Sequence, residues 1–199
     1  MLGPAGLIHI YSDYMIPPSG DHRARIDGST LEQLVVDWLT EAGRDLESFR
    51  VEHRELVAAP DGQYEIDVTA RFRQLGVDFV VLVECKDHAR PVEREDVQVL
   101  ADKKRATGAQ KALLVATNGF QKGAIEYAKV HGVALVRIIE GAFTYETRSA
   151  FQSPPPSPPP WANIQPFVGQ RIYSEGNAIH VRLVERGRPD ALTDYLTSA

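Results

Sequence analysis

The chain has 199 residues, 43% of them hydrophobic and 25% charged, enough to bury one ordinary core with a small addition. A net charge of -5 excludes a general coat of basic charge that would hold nucleic acid unaided, so any such contact is local or metal-assisted. One cysteine excludes an internal disulfide, and no run approaches the roughly 20 apolar residues of a membrane span. No basic-then-apolar leader pattern opens the chain, so a cytoplasmic protein without membrane contact is expected.

Residues 1–24 contain Pro4, Pro17 and Pro18 without a clear period and read as an irregular arm. From Ser29 the spacing of Leu31, Leu34, Val35, Trp38 and Leu39 predicts an amphipathic helix that stops at Gly43. A strand around Phe49 to Leu56 turns through Pro60-Asp61-Gly62 into an alternating strand around Asp67, and Gln74-Leu75-Gly76 turns again into the apolar strand ending at Lys86. A second helix follows Pro91 and runs to about Thr107. Glu93, Glu95 and Asp96 lie in its first turn and Lys103, Lys104 and Arg105 in its last, as the helix dipole favours. Ala112 to Ala116 reads as a buried strand, Gln121 to His131 as a third helix and Val133 to Ile139 as a closing strand. This spacing implies right-handed crossovers and a partly parallel sheet. The expected fold class is α/β with a mixed sheet, in the order α-β-β-β-α-β-α-β, occupying residues 25–148. Ser153 to Pro160 makes 149–162 a stiff proline-rich linker, and 163–199 reads as a short C-terminal appendage with a hairpin around Gly176-Asn177.

Chemistry concentrates at the end of the apolar strand. Side chains alternate along a strand, so Glu84 and Lys86 share one face while Cys85 points to the other as a buried free thiol. On the preceding strand, alternation puts Tyr64, Ile66, Val68 and Ala70 on one face and Glu65, Asp67 and Thr69 on the other, which lets Asp67 sit beside Glu84. Two carboxylates and an ammonium on adjacent strands suit hydrolysis of a phosphodiester. Asp67 and Glu84 are hard oxygen ligands for Mg²⁺, which takes one or two protein carboxylates and keeps several waters. Lys86 can orient or deprotonate water, or stabilise charge at phosphorus. The bland alternative is a solvated Glu84–Lys86 ion pair. An apolar strand has little reason to finish on two charges unless its end opens on a cleft, which favours the catalytic reading.

These residues carry a resemblance. Asp67, Glu84-x-Lys86, a preceding helix bearing Glu32 and a following strand-helix-strand resemble the PD-(D/E)xK restriction endonuclease-like superfamily, within it the Mrr-like branch. The shared phrases are Leu31-Glu32, Glu65-Ile66-Asp67-Val68, Val83-Glu84-Cys85-Lys86, Asp96-Val97-Gln98 and Leu114 to Phe120, spread over residues 26 to 140. The resemblance implies a Mg²⁺-dependent DNA-cleaving domain, with Mn²⁺ as a substitute ion, acting in restriction or defence. Asp67 and Glu84 would bind metal, Lys86 would act on water, Glu32 would reach the metal through water and Gln98 would lie near the site. Where the family often shows a Gly-rich approach to the Asp and a Gln at position 84, this chain has Gln63-Tyr64-Glu65 and a true carboxylate. The family's usual DNA-targeting domain is also not expected here, unless the arm or the post-proline segment replaces it.

Several of these residues have a second reading. Ser29-Thr30-Leu31-Glu32 fits a capping box as well as it fits metal support, and Gln98 fits a surface position. Lys103 and Lys104 decorate a helix C-terminus first and contact DNA phosphate second; His88 and Arg90 read as a solvated loop first and a DNA contact second. The six histidines show no zinc spacing, and no P-loop or serine-hydrolase elbow occurs. Two rival functions remain open. One is a catalytically weak, nuclease-like DNA-binding or assembly module whose prolines dock a partner protein; the other is a structure-selective resolvase or repair nuclease. A lone site cuts one strand at a time, so paired cleavage would need a homodimer or two passes.

Overall fold

Two adjacent hairpins supply the first half of the sheet because three long alternating segments are separated by tight turns. In a computed structural model, which describes residues 8–10, 24–140, 165–175 and 178–198, these strands are β2 (Glu47–Ala59), β3 (Gly62–Gln74) and β4 (Val77–Lys86), paired antiparallel in sequence order. Helix α1 (Gly28–Gly43) precedes them, and β1 (Ile8–Ile10) lies further upstream. After β4 the chain forms α2 (Arg94–Thr107), β5 (Lys111–Ala116), α3 (Lys122–His131) and β6 (Val133–Glu140). Strands β4, β5 and β6 run parallel, as expected when helices make the connections. The order α-β-β-β-α-β-α-β predicted for this stretch is the order observed.

The C-terminal segment extends the sheet. Strand β7 (Phe167–Glu175) pairs antiparallel with β6, β8 (Ala178–Val184) pairs with β7, and β1 adds to β8. Among the described residues the sheet has eight strands in the order β1-β8-β7-β6-β5-β4-β3-β2. A closing helix, α4 (Asp190–Thr197), then packs beside α1. The hairpin expected after residue 163 therefore forms, but as part of the core rather than as an appendage. The arm likewise contains one paired strand, β1. The proline-rich linker and the Gly176-Asn177 turn lie outside the described residues.

Helices cover both faces. Leu31, Val35, Trp38 and Leu39 of α1, with Leu192 and Leu196 of α4, bury against Val68, Val81, Val83, Leu113, Val115 and Ile138. On the opposite face Val97 and Leu100 of α2 and Ala124 and Ala128 of α3 bury against Leu82, Leu114, Ala116 and Leu135. Strand β5 is buried along its whole length, as a central parallel strand must be. Gly169 on β7 has a packing reason: a Cβ there would lie 3.0 Å from Trp38 and Val136. Helix α2 ends on Gly108 at φ 71°, the left-handed cap that lets its N–H reach the Arg105 and Lys104 carbonyls.

One departure from regular alternation shapes the site. Tyr64 and Ile66 pack on the α2–α3 face, whereas Val68, Ala70 and Phe72 pack on the α1–α4 face. Residues 66 and 68 would share a face in an unbroken strand. The single apolar face predicted for β3 is thus corrected: the strand changes face at Asp67. Its neighbour breaks at the same level, because Arg54 adopts φ 52° and drops out of the register between His53↔Val68 and Glu55↔Ile66. Pairing of β3 with β4 stops at Val68↔Val83, although β2 and β3 stay paired to Ala59↔Gly62. The C-terminal end of β4 beyond Val83 is thus left without a β3 ladder partner on that side.

Candidate active site

Asp67 and Glu84 are the residues immediately beyond the last β3–β4 pair. With the ladder interrupted, the Cys85 N–H needs an acceptor other than a β3 carbonyl. It donates to Asp67 Oδ2 at 2.7 Å, so this carboxylate is locked to the main chain beside Glu84. The other Asp67 oxygen makes no hydrogen bond among the described residues. Strand β4 stays regular through Lys86↔Ala116 of β5. Glu84 and Lys86 accordingly fall on the α2 face, 3.7 Å apart between Nζ and Oε2, while Cys85 packs on the α1 face. Glu84 is buried, at 7% exposure, which is rare for a carboxylate unless it is paired.

Its closest partner is one the sequence reading did not place there. Lys103 of α2 puts Nζ 2.6 Å from Glu84 Oε1 and 3.1 Å from the Glu65 carbonyl. The signal was present in the helix period. Val97 and Leu100 face the sheet, and Lys103 lies one turn beyond Leu100, so it falls on the inner flank of the helix rather than at a solvated C-terminus. Lys104 instead donates to the His131 and Gly132 carbonyls at the end of α3.

Behind the sheet, Glu32 of α1 accepts hydrogen bonds from His53 and from Arg54, the latter at 3.0 Å. Successive residues of a regular strand point to opposite faces, and the left-handed Arg54 is what lets both reach one carboxylate. Burial would raise the Glu32 carboxyl, but the hydrogen bonds from Arg54 and His53 outweigh it and hold it below the usual range. The capping box expected at Ser29 and Glu32 does not form. Helix α1 begins one residue earlier and is capped by Asp27, whose side chain accepts from the Thr30 N–H at 3.0 Å. A capping arrangement appears instead on α2, where the Glu93 N–H donates to Asp96 at 3.0 Å.

The partly buried Cys85 registers the whole cluster. Burial pushes its thiol well above the ordinary range, the charges of Asp67, Glu32 and Glu84 push the same way, and Lys86 pulls it back. Asp67, Glu32, Glu84 and Lys86 all lie near enough to act on it, Glu32 from the α1 side and Glu84 and Lys86 from the α2 face. Gln98 lies on the flank of α2 that faces α3, lining a cleft with Tyr127 and His131. His88 and Arg90 sit on the connection from β4 to α2. Among the described residues the buried His88 Nδ1 has no hydrogen bond, and Arg90 is 2.9 Å from Glu93 at the start of α2.

Among the described residues no group of three or more His, Cys, Asp or Glu side chains is placed to hold a metal ion. Two carboxylates at an open strand end nevertheless fit a hard divalent cation that keeps most of its water. The model of the Mrr catalytic domain, described as a restriction endonuclease, matches residues 23–141, from just before α1 to the end of β6. The chain belongs to the Mrr family of restriction endonucleases. The match contains Asp67, Glu84 and Lys86, so the open end of β4 lies within the family's nuclease domain. No curated protein matches. Four solved chains are similar, among them these two. A protein of unknown function, AF1548, is 22% identical over 52% of this chain and 54% of its own, with a TM-score of 0.43. The MspJI restriction endonuclease, in complex with a 27-mer oligonucleotide, is 21% identical over 53% of this chain and 25% of its own, with a TM-score of 0.37. The chain thus spans about half of the first and a quarter of the second. Among the described residues no helix is long and apolar enough to cross a membrane.

Proposed function

We propose that this Mrr-family protein is a Mg²⁺-dependent endodeoxyribonuclease that hydrolyses DNA phosphodiesters in restriction or defence. The observation that carries the reading is the splayed end of β4, where Asp67 and Glu84 follow the last β3–β4 pair with Lys86 on the face of Glu84. Asp67 and Glu84 would hold the cation, and Mn²⁺ is the expected substitute. When bound, such an ion lowers the pKa of the attacking water and neutralises charge on the phosphate.

The chain's own groups have separable tasks in this reading. The Cys85 N–H fixes one Asp67 oxygen and leaves the other for the ion. Lys86, a compact cation next to Glu84, orients the water or takes its proton. Glu32, restrained by Arg54 and His53, supports the site through water from the α1 side. His88 and Arg90, on the connection that follows β4, are proposed to meet the DNA backbone. One site of this kind cuts one strand at a time, so double-strand cleavage would require a homodimer or two passes.

Supercoiled plasmid incubated with the protein and Mg²⁺ should be nicked or linearised, and EDTA or Asp67→Ala should stop the reaction. Cleavage that survives the substitution would refute the assignment.

A further inference from the structure

Lys103 has no task in the scheme above, yet it makes the shorter of the two ion pairs to Glu84. Its side chain is 19% exposed and that of Glu84 is 9% exposed, so the pair is largely withdrawn from water. Its Nζ is shared between Glu84 Oε1 and the Glu65 carbonyl, two groups on the strands that have parted at Asp67. Lys86 lies on the other Glu84 oxygen at the longer distance of 3.7 Å. Glu84 is thereby compensated on both oxygens, and Oε1 is occupied by a cation within direct contact.

We propose that Lys103 is a positioning residue that holds Glu84 in place and competes with the incoming divalent cation for Oε1. The proposal rests on Asp67 and Glu84 being the cation's ligands. Three physical points carry it. An ammonium at 2.6 Å satisfies the carboxylate that burial would otherwise penalise, so the site is stable before an ion arrives. The same ammonium is a like charge to the entering ion, which must displace it or coordinate beside it at a Coulombic cost. Lysine suits displacement because its flexible stem lets Nζ withdraw from Oε1 while keeping the Glu65 carbonyl as an anchor. The charge that α2 brings to the site therefore sets how much cation is needed to load it.

The test is Mn²⁺ binding by calorimetry, without DNA, in the full chain and in Lys103→Met, Lys103→Gln and Asp67→Ala variants. Removing one unit charge from beside a ligand should tighten Mn²⁺ binding roughly tenfold in both Lys103 variants. Lys103→Gln keeps a donor for the Glu65 carbonyl, so it decides the matter if Lys103→Met does not fold. Wild-type binding that is unchanged or weakened in the folded Lys103 variants would overturn the proposal and leave the cation site standing. Absence of Mn²⁺ binding in the wild type, or binding indifferent to Asp67→Ala, would overturn both. A purely structural lysine would lower the melting temperature on removal without tightening the ion.

Discussion

Asp67 has two jobs in this structure, and substitution can separate them. Its carboxylate accepts the Cys85 N–H at 2.7 Å where the β3–β4 ladder has ended, and it is also a proposed ligand of the ion. A hydrogen bond to a charged acceptor contributes about 1.5–3 kcal/mol, and a neutral one about 0.5–1.5 kcal/mol. Asp67→Ala leaves the Cys85 N–H without its acceptor and should cost about 1.5–3 kcal/mol. Asp67→Asn keeps an amide oxygen in the same place and should cost about 1 kcal/mol or less. In a domain of this size about 1 kcal/mol shifts the melting temperature by roughly 2–4 °C, so calorimetry should rank wild type above Asn above Ala. Plasmid cleavage should be lost equally in both variants, because neither keeps the charge an ion needs. Cys85 offers an internal check. Neutralising position 67 removes one of the charges that push its thiol up, so the thiol should react faster with a disulfide reagent at mildly alkaline pH. An Asn variant that cleaves like wild type, or an Ala variant no less stable than Asn, would refute this division of labour.

Three further outcomes are expected. Lys86→Ala should slow plasmid cleavage by about 10²–10⁴-fold, the range for loss of a proton-transfer group, with the melting temperature little changed; a small kinetic effect would remove Lys86 from the chemistry. Glu32 sits below the usual carboxylate range when folded, so its contribution to stability is full above its unfolded value and is lost as pH falls through the folded one. Urea unfolding of wild type and Glu32→Gln should therefore differ most near about pH 7 and converge as the pH falls below the ordinary carboxylate range; a gap that widens in acid would reverse the sign. Leu196→Ala, at a fully buried position of α4, should cost about 2–5 kcal/mol in denaturant unfolding. A negligible cost would show that the C-terminal helix is not part of the core.

The fold was legible where local chemistry and tertiary structure agree. The 3.6-residue spacing of Leu31, Val35, Trp38 and Leu39, the apolar run before Glu84 and the glycines at 108 and 132 each point to the element that forms. Alternation along β4 was enough to put Glu84 and Lys86 together. It failed on β3, because the change of face at Asp67 depends on Arg54 taking a left-handed conformation that no glycine or asparagine advertises. Glu32 was read through the local Ser29 pattern, but its partners lie 21 and 22 residues away on β2, beyond any short motif. Lys103 was assigned to the helix dipole when the helical period also placed it inward. Helix α4 carried a usable pattern in Ala191, Leu192, Tyr195 and Leu196, but its docking beside α1 required the sheet to continue through β7 and β8. These misses share one cause: the deciding partner was distant in sequence.

The most direct measurement is a crystal of the protein soaked in Mn²⁺ and examined by anomalous scattering. The account predicts one strong peak about 2.0–2.2 Å from carboxylate oxygens of both Asp67 and Glu84, the distance expected for a small hard divalent ion. A peak bound elsewhere, or these two carboxylates left without an ion while cleavage proceeds, would contradict it.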